Sequence, residues 1–274
     1  MKLGIIHYNF PDHSLSEFLR AIKDLGYGYS EIMCRDVWPD ETKGNPEAEA
    51  EKLKKEMDSV GVKCSALSLQ NDFVVLDEAV VKAQIERAKR VCGLARILGT
   101  NVLRTEGGRP KDEVPQERWV EAMAGCLKRM ADFIEKEDYY LAVDNHGKVT
   151  NDGELQLRLF KMVGSKRVGA NLDTMNYRAT GQYDLETVYK FWKMVAPCTF
   201  HTHFKDGFLK DGKYTGMELG GGELDLSIAV KALKDANYKG VWVVEYEKKD
   251  GDRVEGAKKS IKHLKSLLKQ AGVR

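Results

Sequence analysis

Long apolar runs, paired cysteines and an excess of one charge are all missing from this 274-residue sequence, and each absence removes a class of protein. No stretch approaches the roughly 18 consecutive apolar residues of a membrane-spanning helix. The opening MKLGIIHYNF runs straight into a strand-like segment without the cleavage pattern of a secretory signal, which predicts a cytoplasmic chain with no membrane partner. The five cysteines, Cys34, Cys64, Cys92, Cys126 and Cys198, are odd in number and widely spaced, so reduced buried thiols are expected rather than disulfides or a CxxC zinc site. With Lys+Arg 44 against Asp+Glu 42 the formal net charge is +2, and no field is expected that would hold nucleic acid. Proline is scarce, at 6 residues, and no Pro-, Gly- or Ser-rich linker divides the chain, so one domain over 1–274 is expected.

What is present is alternation. Short runs rich in β-branched and aromatic residues centre on 3–8, 29–33, 63–69, 101–106, 139–146, 168–174, 198–206 and 240–247, and longer helical patterns separate them. Eight βα units in a chain of this length predict a single (β/α)8 barrel of the α/β class, a TIM barrel. The helices carry readable ends: a Ser14–Glu17 capping box before Gly26, Pro46 opening a helix that Gly61 closes, a start near Asp77 with Gly99 at the end, and Asp184 opening the helix before Pro197. The longest loop, Gly207 to Glu223, ends in Gly220-Gly221-Gly222. Those glycines either offer backbone N–H groups to a phosphate or form a turn into the helix that starts near Leu226.

Side chains alternate across a strand, so parity separates residues beneath the helices from residues inside the barrel. One parity gives Leu141, Val143, Leu172, Phe200, Phe204, Trp242, Val244 and Tyr246. The other gives Asp144, His146, Asn171, Asp173, His201, His203, Lys205, Glu245 and Glu247. Carboxylates facing one another repel unless a cation compensates them. Oxygen-rich donors with an imidazole suit Mn2+ or Mg2+ best, with Zn2+, Co2+ and Fe2+ also admissible. Glu31, Gln70, Arg104 and Glu106 fall near the same mouth, where Arg104 either pairs with the two glutamates or meets substrate. His201 sits two residues deeper than His203 and reads as a hydrogen-bonded core histidine. Lys205 lies nearer the rim, where it binds an oxyanion or meets solvent. Trp38 and Phe73 supply an apolar wall over a ligand or cover the barrel rim.

The segments LAVDNHGKVTN, NLDTMNY, HTHFKD, GGGELD and VVEYE, in this order, resemble the xylose isomerase-like TIM barrel superfamily, in particular its sugar phosphate isomerases and epimerases. The resemblance implies one divalent metal held by Asp144, Asp173, His203 and Glu245. It also implies that Asp144 and Glu245 act as acid/base catalysts, transferring a proton through a metal-bound enediolate of a carbohydrate substrate. Substrate contacts are then expected from Gln70, Arg104, Glu106, His146, Asn176 and Lys205. Two positions depart from the pattern: Asp144 replaces the commoner Glu, withdrawing the carboxylate by about 1.5 Å, and Asn176 replaces a substrate-contacting His. Related barrels use the same site as lyases or dehydratases, of the 3-dehydroshikimate dehydratase or 3-keto-glycoside-cleaving type, and a non-catalytic sugar-binding barrel is a further alternative. The superfamily's endonucleases use three metals and more His and Asp ligands than this chain, with six histidines in all, supplies. A homo-oligomer stays open.

Overall fold

A computed structural model describes residues 1–273. The strands are β1 (Leu3–Ile6), β2 (Tyr29–Met33), β3 (Lys63–Ser68), β4 (Val102–Thr105), β5 (Tyr140–Asp144), β6 (Val168–Asp173), β7 (Thr199–Phe204), β8 (Asp206–Lys210), β9 (Lys213–Met217) and β10 (Trp242–Val244). Eight of them close a parallel barrel in the order β1-β10-β7-β6-β5-β4-β3-β2, with helices between them in the chain. Of the residues expected beneath the helices, Leu141, Val143, Leu172, Phe204 and Val244 are 0% exposed and Trp242 and Tyr246 are buried, while Phe200 is half-buried. Each such side chain contributes roughly 1.5–3 kcal/mol by leaving water.

Helix boundaries follow the capping chemistry. Ser14 and Glu17 form the reciprocal box, and Asn45 caps the helix that Pro46 opens. Gly61 ends that helix at φ 75°, a left-handed conformation that glycine adopts without a Cβ penalty. Among the described residues no helix is long and apolar enough to cross a membrane.

Two features depart from the sequence expectation. The segment expected as the longest loop begins with a β-hairpin, β8–β9, turning at Asp211 (φ 51°) and Gly212 (φ 72°). Several strands also stop early. His7 enters a 3-10 turn, and His146 and Glu247 stand on chain beyond the strands, whereas Glu245, one residue past β10, still donates its N–H to the Phe204 carbonyl at 2.9 Å.

Candidate active site

Register brings the polar parity together. Asp173 on β6 lies opposite His203 on β7, His203 lies opposite Val243 on β10, and Asp144 on β5 lies opposite Asn171 on β6.

Arg104, from β4, is the hub of one half. Its Nε donates to Glu31 Oε1 at 2.6 Å, Nη1 donates to Asp144 Oδ2 at 2.9 Å and Glu106 Oε1 at 3.2 Å, and Nη2 donates to Ser68 Oγ at 2.9 Å. A planar fork of donors suits this division among four acceptors, which a lysine could not reproduce. Burial pushes the Glu31 carboxyl up, but Arg104 and then His203 outweigh it and bring it down to about 2. The ion-pair role expected of Arg104 is the one the structure shows, with Glu31 and Glu106 as partners, and its side chain also borders the cleft.

His203 joins this half to the other. Its Nε2 lies 2.6 Å from Glu31 Oε2 and its Nδ1 lies 2.7 Å from Glu245 Oε2. Burial disfavours the charged ring, yet the two carboxylates hold its pKa well above the usual histidine range. His201, by contrast, contacts Asn171 Oδ1 at 2.9 Å and Ser65 Oγ at 3.3 Å, and burial drives its pKa down to about 3, a neutral histidine inside the barrel.

Lys205 is buried, with 3% exposure, rather than meeting solvent at the rim. Its Nζ lies 2.7 Å from Glu247 Oε2, 3.2 Å from Asn176 Oδ1, 3.3 Å from Glu245 Oε1 and 3.9 Å from Asp173 Oδ2. Burial works against its charge, and Glu245, Asp173 and Glu247 more than offset that, so the ammonium persists. The reciprocal effect appears at Glu245, where burial raises the carboxyl but Lys205 and His203 hold it well below the ordinary range. Asp173 moves the other way. Burial, opposed by Lys205 and reinforced by Glu245 and Asp144, lifts it to about 7.

Asp173, His203 and Glu245 each place a ligand atom within 4.8 Å of the others. Asp144 stands outside that cluster. Two buried carboxylate oxygens, Asp144 Oδ1 and Asp173 Oδ2, have no hydrogen-bond partner, although Asp173 Oδ1 accepts from the Met175 and Asn176 backbone N–H groups. Orphaned carboxylate oxygens beside an imidazole and another carboxylate form a hard donor set, and these residues fit a divalent cation. Glu31, His201 and His203 meet the same distance condition, but Glu31 is already committed to Arg104. Glu31 therefore stands behind His203 as the carboxylate that orients its imidazole.

A cleft of about 560 Å3 opens over this cluster. Gln70, Arg104, Glu106, Asp144, His146 and Glu245 line it, whereas Asn176 and Lys205, which contact each other beside the cluster, do not border it. Gln70 also accepts the Arg35 backbone N–H at 2.8 Å. Trp38 and Phe73 are buried under the rim, with the Arg90 guanidinium 4.6 Å from the Trp38 ring, and they do not border the cleft. Arg35 and Arg109 do border it, and the sequence reading passes over both. The available signal was their place just beyond the ends of β2 and β4, on the face where barrels build their sites.

The glycine-rich segment is occupied by the protein itself. Asp206 receives the backbone N–H groups of Gly207 (2.8 Å), Gly220 (2.9 Å), Gly222 (3.1 Å) and Leu224 (3.4 Å). A Cβ on Gly222 would lie 2.0 Å from Asp206 Oδ1. These amides hold a carboxylate and are not free for a phosphate.

The fold and the acid-rich mouth define a parallel (β/α)8 barrel with its polar centre at the carboxy-terminal strand ends. The chain belongs to the xylose isomerase-like TIM barrel family, whose profile matches residues 19–267. No curated protein sequence matches it. Among solved structures it resembles the IolI protein with a bound zinc atom, at 21% identity and TM-score 0.80, covering 99% of each chain. It is also similar to L-ribulose 3-epimerase, at 18% identity and TM-score 0.77, with 98% of this chain and 95% of that one covered. A third likeness is to the probable 3-DHS dehydratase AsbF of Bacillus anthracis, at 14% identity and TM-score 0.75, covering 97% and 99%. These likenesses establish the fold.

Proposed function

We propose that the chain is a divalent-metal-dependent isomerase or epimerase of a small carbonyl sugar. The observation that carries this reading is the Asp173–His203–Glu245 cluster with unpartnered carboxylate oxygen at its edge. Asp173, His203 and Glu245 would hold the cation, with Asp144 Oδ1 as the fourth donor, and oxygen-rich donors favour Mn2+ or Mg2+. When bound, such an ion polarises a carbonyl oxygen and so acidifies the neighbouring C–H.

Proton transfer then falls to the chain. Glu245 is held ionised by Lys205 and His203, so its carboxylate can accept the proton from the carbon beside the carbonyl. Asp144 borders the same cleft with Oδ2 gripped by Arg104; whenever its Oδ1 is not on the cation, that oxygen can carry the proton that is returned, Glu245 having taken the one removed. Return to the opposite face of that carbon gives an epimer; return to the adjacent carbon gives an isomer.

The test is incorporation of solvent deuterium into ketoses by manganese-loaded protein, with Glu245→Gln in parallel. Exchange into substrate, reduced about 10²- to 10⁴-fold in the variant, is expected. Equal rates would remove Glu245 from its role. An unsaturated product with loss of water or an aglycone would assign elimination at this site, the lyase or dehydratase reading.

A further inference from the structure

We propose that the substrate carries an anionic group, a carboxylate or a phosphate, which Arg35 and Arg109 bind on the outer wall of the cleft; this rests on the carbonyl-sugar reading above.

Each carboxylate that borders the cleft already has a protein cation. Asp72 lies 2.8 Å from Lys111, Glu106 and Asp144 lie 3.2 and 2.9 Å from Arg104, and Glu245 and Glu247 lie 3.3 and 2.7 Å from Lys205. Arg35 and Arg109 border the same cavity, and among the described residues neither makes an ion pair or a side-chain hydrogen bond. Two guanidinium groups therefore remain without a protein partner, while the carboxylates of the cleft share Lys111, Arg104 and Lys205.

Their backbones are held while their side chains stay exposed. The Arg35 N–H is fixed by Gln70. Arg109 follows Gly107, whose added Cβ would strike Thr150 Oγ1 and the His146 carbonyl, and Gly108, which packs on Val74. Close backbone approach thus seats the Arg109 loop against its neighbours. A guanidinium presents paired N–H donors matched to carboxylate or phosphate oxygens. The glycine-rich segment after β9, a place where barrels often hold phosphate, is filled by Asp206. Recognition of an anion is thereby left to the opposite side of the mouth.

Three ketoses of one skeleton separate the sources: D-fructose, D-fructuronate and D-fructose 6-phosphate. Their binding to manganese-loaded protein is measured by calorimetry for the parent, R35Q, R109Q and the double variant, with melting curves to verify folding. One charged ketose is expected to bind about 10- to 100-fold more tightly than D-fructose, the range of charge-assisted hydrogen bonds. Which one identifies the carboxylate or the phosphate. The double variant should lose that advantage while keeping its affinity for D-fructose. Equal affinity for all three, or an advantage that survives in the double variant, overturns the proposal. If D-fructose then still exchanges deuterium, the isomerase reading stands alone. If an arginine-dependent advantage appears without exchange, the anion site stands and the isomerase reading falls. Absence of binding by all three overturns both.

Discussion

Glu31 Oε2 lies 2.6 Å from His203 Nε2, so a carboxylate from β2 fixes the far side of an imidazole from β7 and leaves Nδ1 facing Glu245 and Asp173. Removing that carboxylate releases the ring. Glu31→Gln is expected to weaken manganese binding about 10- to 100-fold, read by calorimetry and by metal content after dialysis. Undiminished affinity would show that His203 needs no orienting partner.

Arg104 is the only guanidinium shared by Glu31, Glu106 and Asp144 among the described residues. Arg104→Met leaves buried carboxylates without their cation and is expected to cost about 3–5 kcal/mol of stability. Urea denaturation measures it. Arg104→Lys should recover only part, because one ammonium cannot span the four acceptors.

Asp206→Ala leaves four backbone N–H groups without their acceptor. Each unsatisfied buried group costs about 1–3 kcal/mol, and the loss should be local. Hydrogen exchange at Gly207, Gly220 and Gly222 is expected to accelerate at least about tenfold, while amides in β3 to β6 keep their protection. A uniform change across the barrel would contradict this.

Burial pushes the Cys34, Cys126 and Cys198 thiols up to about 11 and Cys92 to about 12, and pushes Cys64 higher still. At pH 8 the thiolate fraction is then small. Alkylation by iodoacetamide should run at least about 100-fold slower in native than in urea-unfolded protein. A thiol that labels at the unfolded rate would have to lie outside the packed layers.

The barrel was legible because each strand is a run of β-branched or aromatic residues bounded by a cap or a glycine, and parity then separated Val143 from Asp144 and Phe204 from His203. The hairpin after β7 was also signalled. Asp211-Gly212 between FLK and KYT has the turn chemistry of a two-residue hairpin, but the surrounding lysines and glycines obscured the strands. The pairing of Arg104 with Glu31 and Glu106 was legible from their common place at the mouth, but its bonds to Ser68 and Asp144 were not, since those residues lie 36 and 40 residues away and only closure of the barrel brings them together. The Asp206 arrangement escaped for a similar reason: a glycine triplet shows free amides, and nothing local names the carboxylate that will claim them.

Lys205 and Asp206 are consecutive, yet one points its ammonium at Glu245 and Glu247 while the other ties down the 220–224 segment. Thr174 clamps the junction, accepting the Lys205 N–H at 2.8 Å and donating to its carbonyl at 2.6 Å. The outer loop and the charge balance of the mouth consequently share one anchorage: the peptide between them is held at both the Lys205 N–H and its carbonyl by a threonine from the neighbouring strand end.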